Sequence, residues 1–219
     1  MLRKNSLTQW TPPPKNTYLL NFDGASKGNP GLTGYGGVIR NSQGIPLKIY
    51  FGSIGWNTNN AAELEGLWLG LQIAHHHSFM PLIVEGDSQI IINMASKIQQ
   101  GSAAQKVSRS WRMATRLESL QDWLRNNKAT SFKHIRREGN KAADFLANLG
   151  AELGKVYQEG TPQVIASDSN RASFQEIINR DMQAETTNIP DAGDTTHRPG
   201  HVIGTRHPWD GSLVINAEH

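Results

Sequence analysis

The order in which residue periodicity changes along the chain restricts its fold more than any other feature. Tyr18 to Asp23 alternates as a strand does, and the Gly- and Pro-containing run from Gly24 to Gly34 supplies a turn. Gly36 to Arg40 and Leu47 to Ser53 read as two more strands around the turn signal Asn41-Ser42-Gln43-Gly44. Strands joined by connections this short form an antiparallel meander. At Asn60 the spacing becomes helical: Leu64, Leu67, Trp68 and Leu71 fall at i, i+3, i+4 and i+7 of a helix reaching about His76, with Asn59 or Asn60 as its cap.

A short apolar strand, Pro81 to Glu85, follows, then a helix from Ser88 to Lys97 that Gly101 and Ser102 break. Gln105 to Asn126 reads as one or two helices with Val107, Trp111, Ala114, Leu117, Leu120 and Leu124 inward. Thr130 to Arg136 is the last strand, and a helix runs from about Asn140 to Glu152. Helical connections before the fourth and fifth strands favour parallel neighbours there. The expected class is α/β: a mixed five-stranded sheet, three antiparallel strands plus two parallel, with helices on both faces.

This pattern fills residues 17–153 and leaves two flanks. Residues 1–16 contain Pro12, Pro13 and Pro14, which set an extended segment with no element of its own. Residues 154–219 lose apolar periodicity and are expected to be a largely disordered acidic tail, apart from a small Phe174, Ile177 and Ile178 stripe between Ala172 and Gln183. Charge divides the same way: residues 1–154 carry 17 lysines and arginines against 10 acids, whereas residues 155–219 carry 5 against 9. A basic globular part suits a polyanionic partner, although ordinary surface charge explains the numbers equally well. The absence of cysteine excludes disulfides and thiolate metal sites. No apolar run approaches the length of a membrane span and the N-terminus lacks the apolar core of a signal peptide. The expectation is a monomeric protein of the nucleus or cytoplasm, neither secreted nor membrane-bound.

Four acids stand where strands end or helices begin: Asp23, Glu63, Asp87 and Asp144. Each has an ordinary explanation. Asp23-Gly24 alone is most often a turn, Glu63 and Asp144 suit the first turn of a helix, and Asp87 could cap the helix after Ser88. Brought to one sheet edge, the four could not all ionise without cations. Mg²⁺ is the fitting ion, since it takes carboxylate oxygens together with substrate phosphates, and a pair of such ions hydrolyses phosphodiesters. Neighbouring candidates are weaker. Glu65 lies about 200° round the helix from Glu63, Glu85 lacks the adjoining Ser88, and His75, His76 and His77 point about 100° apart and cannot converge. Lys106, Arg109, Arg112 and Arg116 read as a solvated face with at most a modest phosphate contact.

Four motifs in order, DGASKGNPG, TNNAAELEGL, EGDSQIII and REGNKAADFLAN, resemble the type 1 ribonuclease H domain, especially the versions in plant retrotransposon-derived proteins. The resemblance implies an endonuclease that cuts the RNA strand of RNA–DNA hybrids, leaving a 5′-phosphate. It implies that Asp23 and Asp87 bridge two Mg²⁺ ions, with Mn²⁺ able to substitute, and that Glu63 and Asp144 bind one each. It also puts Gly24 and Asn29 on the RNA strand, while Thr58, Asn59 and Asn60 supply hydroxyl and amide groups suited to phosphate, base-edge and 2′-hydroxyl contacts. Asn140 is expected to cap the last helix. The chain departs from the bacterial form in having no histidine directly ahead of Asn140, and Arg137 stands there as a possible accessory group on the phosphate. Two other readings stay open: a non-catalytic hybrid-binding module domesticated from a retroelement, and an exonuclease of the same superfamily.

Overall fold

In a computed structural model, which describes residues 10–104, 108, 110–154, 157–186, 205–206 and 213–214, β1 (Tyr18–Gly28) lies inside a six-stranded sheet. On one side it pairs antiparallel with β2 (Gly31–Arg40), from Leu19↔Arg40 to Gly28↔Gly31, and β2 pairs antiparallel with β3 (Pro46–Asn57). On its other side it pairs parallel with β4 (Leu82–Gly86), which in turn pairs parallel with β5 (Thr130–His134). These five strands form the expected meander plus two parallel strands. A sixth, β6 (Gln158–Gly160), adds antiparallel to the free edge of β3. Three residues without alternating hydrophobicity gave no strand signal. The open edge of β3 supplies their hydrogen bonds instead.

The helices cover both faces. α1 (Asn59–His76), α2 (Gln89–Gln99) and α3 (Trp111–Asn126) share a core with Leu20, Phe22, Ile39, Tyr50, Leu82 and Val84 of the sheet. Thr58, one residue before the expected caps, caps α1: its hydroxyl accepts from the Ala61 N–H at 3.3 Å. On α3 the buried stripe is Met113, Leu117, Leu120 and Leu124, so the expectation of Trp111 and Ala114 inward is corrected. Trp111 opens the helix, is 75 % exposed and meets the Arg112 guanidinium at 4.4 Å. Residues 105–107 and 109, with Lys106, Val107 and Arg109, lie outside the described residues. On the opposite face α4 (Lys141–Leu153) lies over β1, β2 and β3. It can approach because Gly34 and Gly36 present no side chain: a Cβ at Gly36 would stand 2.6 Å from the Ala147 nitrogen.

Residues beyond 153 extend this unit, which corrects the expected boundary. α5 (Asp168–Thr186) buries Phe174 and Ile178 completely, with the Phe174 ring 6.0 Å from that of Phe145. Asp181 of α5 reaches Arg40 at the end of β2, Oδ2 to Nη2 2.6 Å, and the Arg40 guanidinium lies 4.4 Å from the Trp10 ring. The proline-rich segment has no element of its own among the described residues, but Trp10 is buried and donates to Asn21 at 3.4 Å. Residues 188–219 form a separate unit whose described part is a pair of two-residue strands, β7 (Thr205–Arg206) and β8 (Leu213–Val214). The rest of the expected tail and residues 1–9 lie outside the described residues. No helix among the described residues is long and apolar enough to cross a membrane.

Burial dominates the Arg40–Asp181 pair. Desolvation pushes the arginine down and the carboxyl up from their usual ranges, against their mutual attraction. Such a pair adds little net stability, yet removing one partner strands the other. Asp181→Ala should therefore cost roughly 3 kcal/mol, measured as a fall in the urea midpoint of unfolding. An unchanged midpoint would show that α5 does not rely on this contact.

Candidate active site

The site forms where two strands part. The parallel register of β1 and β4 ends at Asn21↔Glu85, while β1 continues to Gly28 against β2. Asp23 therefore lies two residues past the last shared pair rather than at the end of its strand, and Asp87 follows immediately after β4. This crevice outside the carboxyl ends of parallel strands is a common place for a ligand in an open α/β sheet. Glu63 enters from the second turn of α1, not the first as expected, and Asp144 from the first turn of α4. Gly24 makes the entry of α1 possible, because a Cβ there would collide with the Glu63 backbone nitrogen. That contact gives Gly24 a reason independent of any RNA strand.

Asp23, Glu63 and Asp87 each offer an oxygen within 4.8 Å of the others. The cavity they share, about 290 Å³, is also lined by Asp144, Gly24, Asn59 and Arg137, so all four predicted acids converge. Asp23 and Glu63 are buried, and Glu63 Oε2 has no hydrogen-bond partner. Burial first, then Asp87 and Asp144, push Asp23 from 3.8 up to about 8, although the Gly24 N–H donates to its Oδ1 at 2.9 Å. Burial, followed by Asp23 and Asp87, pushes Glu63 well above the usual carboxylate range. Repelling acids with an unpartnered buried oxygen are the donor set of a hard divalent cation, which would relieve both costs. Arg137 Nη2 donates to Asp144 Oδ1 at 2.8 Å, a bond that pushes the guanidinium pKa up.

The predicted substrate residues divide. Asn59 lines the cavity, and its backbone N–H donates to Asn29 Oδ1 at 3.1 Å, tying the β1–β2 turn to α1. Thr58 and Asn60 flank it in sequence without lining the cavity, and the Thr58 hydroxyl is engaged in the cap. Glu85 is outside the cluster: Asn21 and Lys133 donate to its two oxygens at 3.2 and 3.0 Å. Glu65 is no solvated residue. It holds Arg116 through two bonds of 2.7 and 2.8 Å, joining α1 to α3. The three consecutive histidines form no metal group; the His77 ring stacks on Phe79 with centroids 5.4 Å apart. Ala25, Ser26 and Asn148 line the cavity without having been anticipated. Asn148, four residues after Asp144 on α4, donates to the Asp144 carbonyl at 2.8 Å and was legible from that spacing.

The charge balance has a measurable consequence. Asp23 binds its proton more tightly in the folded protein than in the unfolded chain, so metal-free stability falls as pH rises from about 4 to about 8. A tenfold change in an acid constant corresponds to about 1.4 kcal/mol. Metal-free Asp23→Asn should thus be more stable than the unmodified protein at pH 8, on the order of a few kcal/mol, and lose that advantage near pH 4. Thermal unfolding in a chelator across this range would reveal it, and parallel curves for both proteins would refute it.

Comparison with known proteins places the fold in a family. The family described as reverse transcriptase-like matches residues 21–150. A ribonuclease H-like protein of Arabidopsis thaliana is 30 % identical over 151 residues, covering 69 % of this chain and 23 % of its own length. Ribonuclease HI of Halobacterium salinarum is 32 % identical over 127 residues, covering 58 % of this chain and 60 % of its own. The chain thus spans less than two thirds of either relative. The crystal structure of LC11-RNase H1 in complex with an RNA/DNA hybrid aligns with a TM-score of 0.54 at 26 % identity, covering 63 % of this chain and 98 % of that one. The chain belongs to the reverse transcriptase-like family and carries a type 1 ribonuclease H domain.

Proposed function

We propose that this protein is a Mg²⁺-dependent endonuclease that cleaves the RNA strand of RNA–DNA hybrids, leaving a 5′-phosphate and a 3′-hydroxyl. The observation that carries the reading is the meeting of Asp23, Glu63 and Asp87 within 4.8 Å in a cavity that Asp144 also lines. A relative captured on an RNA/DNA hybrid supports the substrate class. Asp23 and Asp87 would each serve two ions, and Glu63 and Asp144 one each; Mn²⁺ would be accepted by the same oxygens. When bound, the ions supply an activated water and neutralise the leaving oxygen.

The remaining residues bind and orient. Asn59 at the cavity wall offers an amide to the RNA sugar edge, where a 2′-hydroxyl distinguishes RNA from DNA. Asn29 and Asn60 extend that polar surface, and Thr58 holds the helix start from which Asn59 projects. Gly24 leaves the floor free of a side chain. Arg137, whose side chain is 67 % exposed, stands beside Asp144 where it can donate to a phosphate oxygen or help a cleaved product leave. It cannot act as a base at neutral pH. The basic excess of residues 1–154 would draw in the polyanion and make binding weaken with salt.

A labelled hybrid incubated with Mg²⁺ decides the matter. Internal cuts by the unmodified protein, reduced at least about 100-fold in Asp87→Asn, are the expected result, by analogy with the loss of a group that stabilises transition-state charge. Binding without any cleavage would identify a hybrid-binding module, and stepwise shortening from an end an exonuclease. Arg137→Ala should lower kcat roughly tenfold, less than the 10²-fold typical of a buried donor. An unchanged kcat would remove Arg137 from the reaction.

A further inference from the structure

Asn140 does not do what its position suggests. It stands at the N-cap of α4, yet its side chain makes no capping bond. Instead Nδ2 donates to the Phe22 carbonyl on β1 at 2.9 Å, across 118 residues of sequence, and the residue is only 1 % exposed. Phe22 is the first β1 residue past the register shared with β4, and its carbonyl belongs to the peptide that leads into Asp23. The backbone carbonyl of Asn140 accepts from the Asp144 N–H at 3.0 Å. One residue thus grips the chain next to Asp23 with its side chain and the chain at Asp144 with its main chain. Only a side-chain donor can face a carbonyl, which also fixes the orientation of the amide. Asn140 Oδ1 is left buried with no partner. Burying an unpaired acceptor is unfavourable, so the amide at this position contributes its donor and nothing else.

We infer that Asn140 is a positioning residue: it braces β1 against α4 where β1 and β4 separate, and so fixes the spacing of Asp23 and Asp144 for divalent cations. The inference rests on the nuclease reading of the acidic site. Partners one step outside a metal's ligands hold those ligands in place, and their loss typically weakens metal binding or activity about 10–100-fold.

The test compares Asn140→Leu, which keeps the number and branching of the side-chain heavy atoms and removes both the donor and the orphan oxygen, with Gln99→Leu. Gln99 Nε2 donates to the Thr130 carbonyl at 2.6 Å, so this control breaks the same kind of helix-to-strand bond at the opposite end of β4 and β5. Mg²⁺ affinity is measured by calorimetry on the full chain without nucleic acid, alongside thermal unfolding and hybrid cleavage. The expected result is a roughly 10–100-fold weaker Mg²⁺ Kd and a lower kcat with unchanged KM in Asn140→Leu, with the Kd unmoved in Gln99→Leu. Equal Mg²⁺ affinity and kcat in a cooperatively folding Asn140→Leu would overturn the brace and leave the nuclease standing. The same shift in both variants would also overturn it, by showing general loosening. Failure of the unmodified protein to bind Mg²⁺ at all would bring down the functional reading and the brace together.

Discussion

Holding Asp23, Glu63 and Asp87 within 4.8 Å, two of them buried, costs free energy that the rest of the domain must offset. Separate elements carry the acids, so relaxing the repulsion would mean moving β1, β4, α1 or α4 as whole units. Each is fixed by packing that does not involve the acids. Tyr50 on β3 donates to the Gly66 carbonyl at 2.6 Å and so pins α1 to the sheet. Gly34 and Gly36 let α4 sit directly on β2. The Glu65–Arg116 pair ties α1 to α3. The acids remain crowded because the elements beneath them cannot separate, a preorganisation that favours cations over empty repulsion.

The same arrangement explains the division of roles among neighbouring polar residues. Glu85 lies two residues before Asp87 in sequence, but on β4 it is surrounded by Asn21 and Lys133, which satisfy both of its oxygens. Asp87 comes after the last β4 residue, where His134 Nε2 lies 3.0 Å from its main-chain carbonyl and its carboxyl faces that of Asp23. Satisfied carboxylates serve the fold, whereas carboxylates left facing one another serve a ligand.

What the sequence revealed and what it hid have physical reasons. The meander and the first helix were legible because their periods, two and about 3.6, are local. The acids were legible only as a set: each alone fits a turn, a cap or a helix start, and the four motifs that carry them in order set them apart. Hidden features depended on partners far along the chain. α5 looked like a weak stripe because Phe174 and Ile178 alone cannot hold a helix; its burial needs Phe145 and Arg40, which lie 29 and 141 residues before their partners Phe174 and Asp181. Asn140 read as a cap because its neighbours fit that pattern, and only the parting of β1 from β4 creates a carbonyl for it to reach. The inward face of α3 was misphased because Met113, not Trp111, continues the leucine stripe.

The grip on Arg40 bears on how such a domain is delimited. Trp10 comes from before the first strand and Asp181 from the helix after the four acid-bearing motifs, yet both close on one guanidinium at the end of β2. Residues 21–150, the portion shared with relatives, include the arginine but neither of its companions. A fragment trimmed to the shared portion would strip Arg40 of its ring contact and its ion-pair partner and open the sheet end it stands on. The natural unit for expression, transplantation or fusion is the longer stretch whose two ends meet at that clasp.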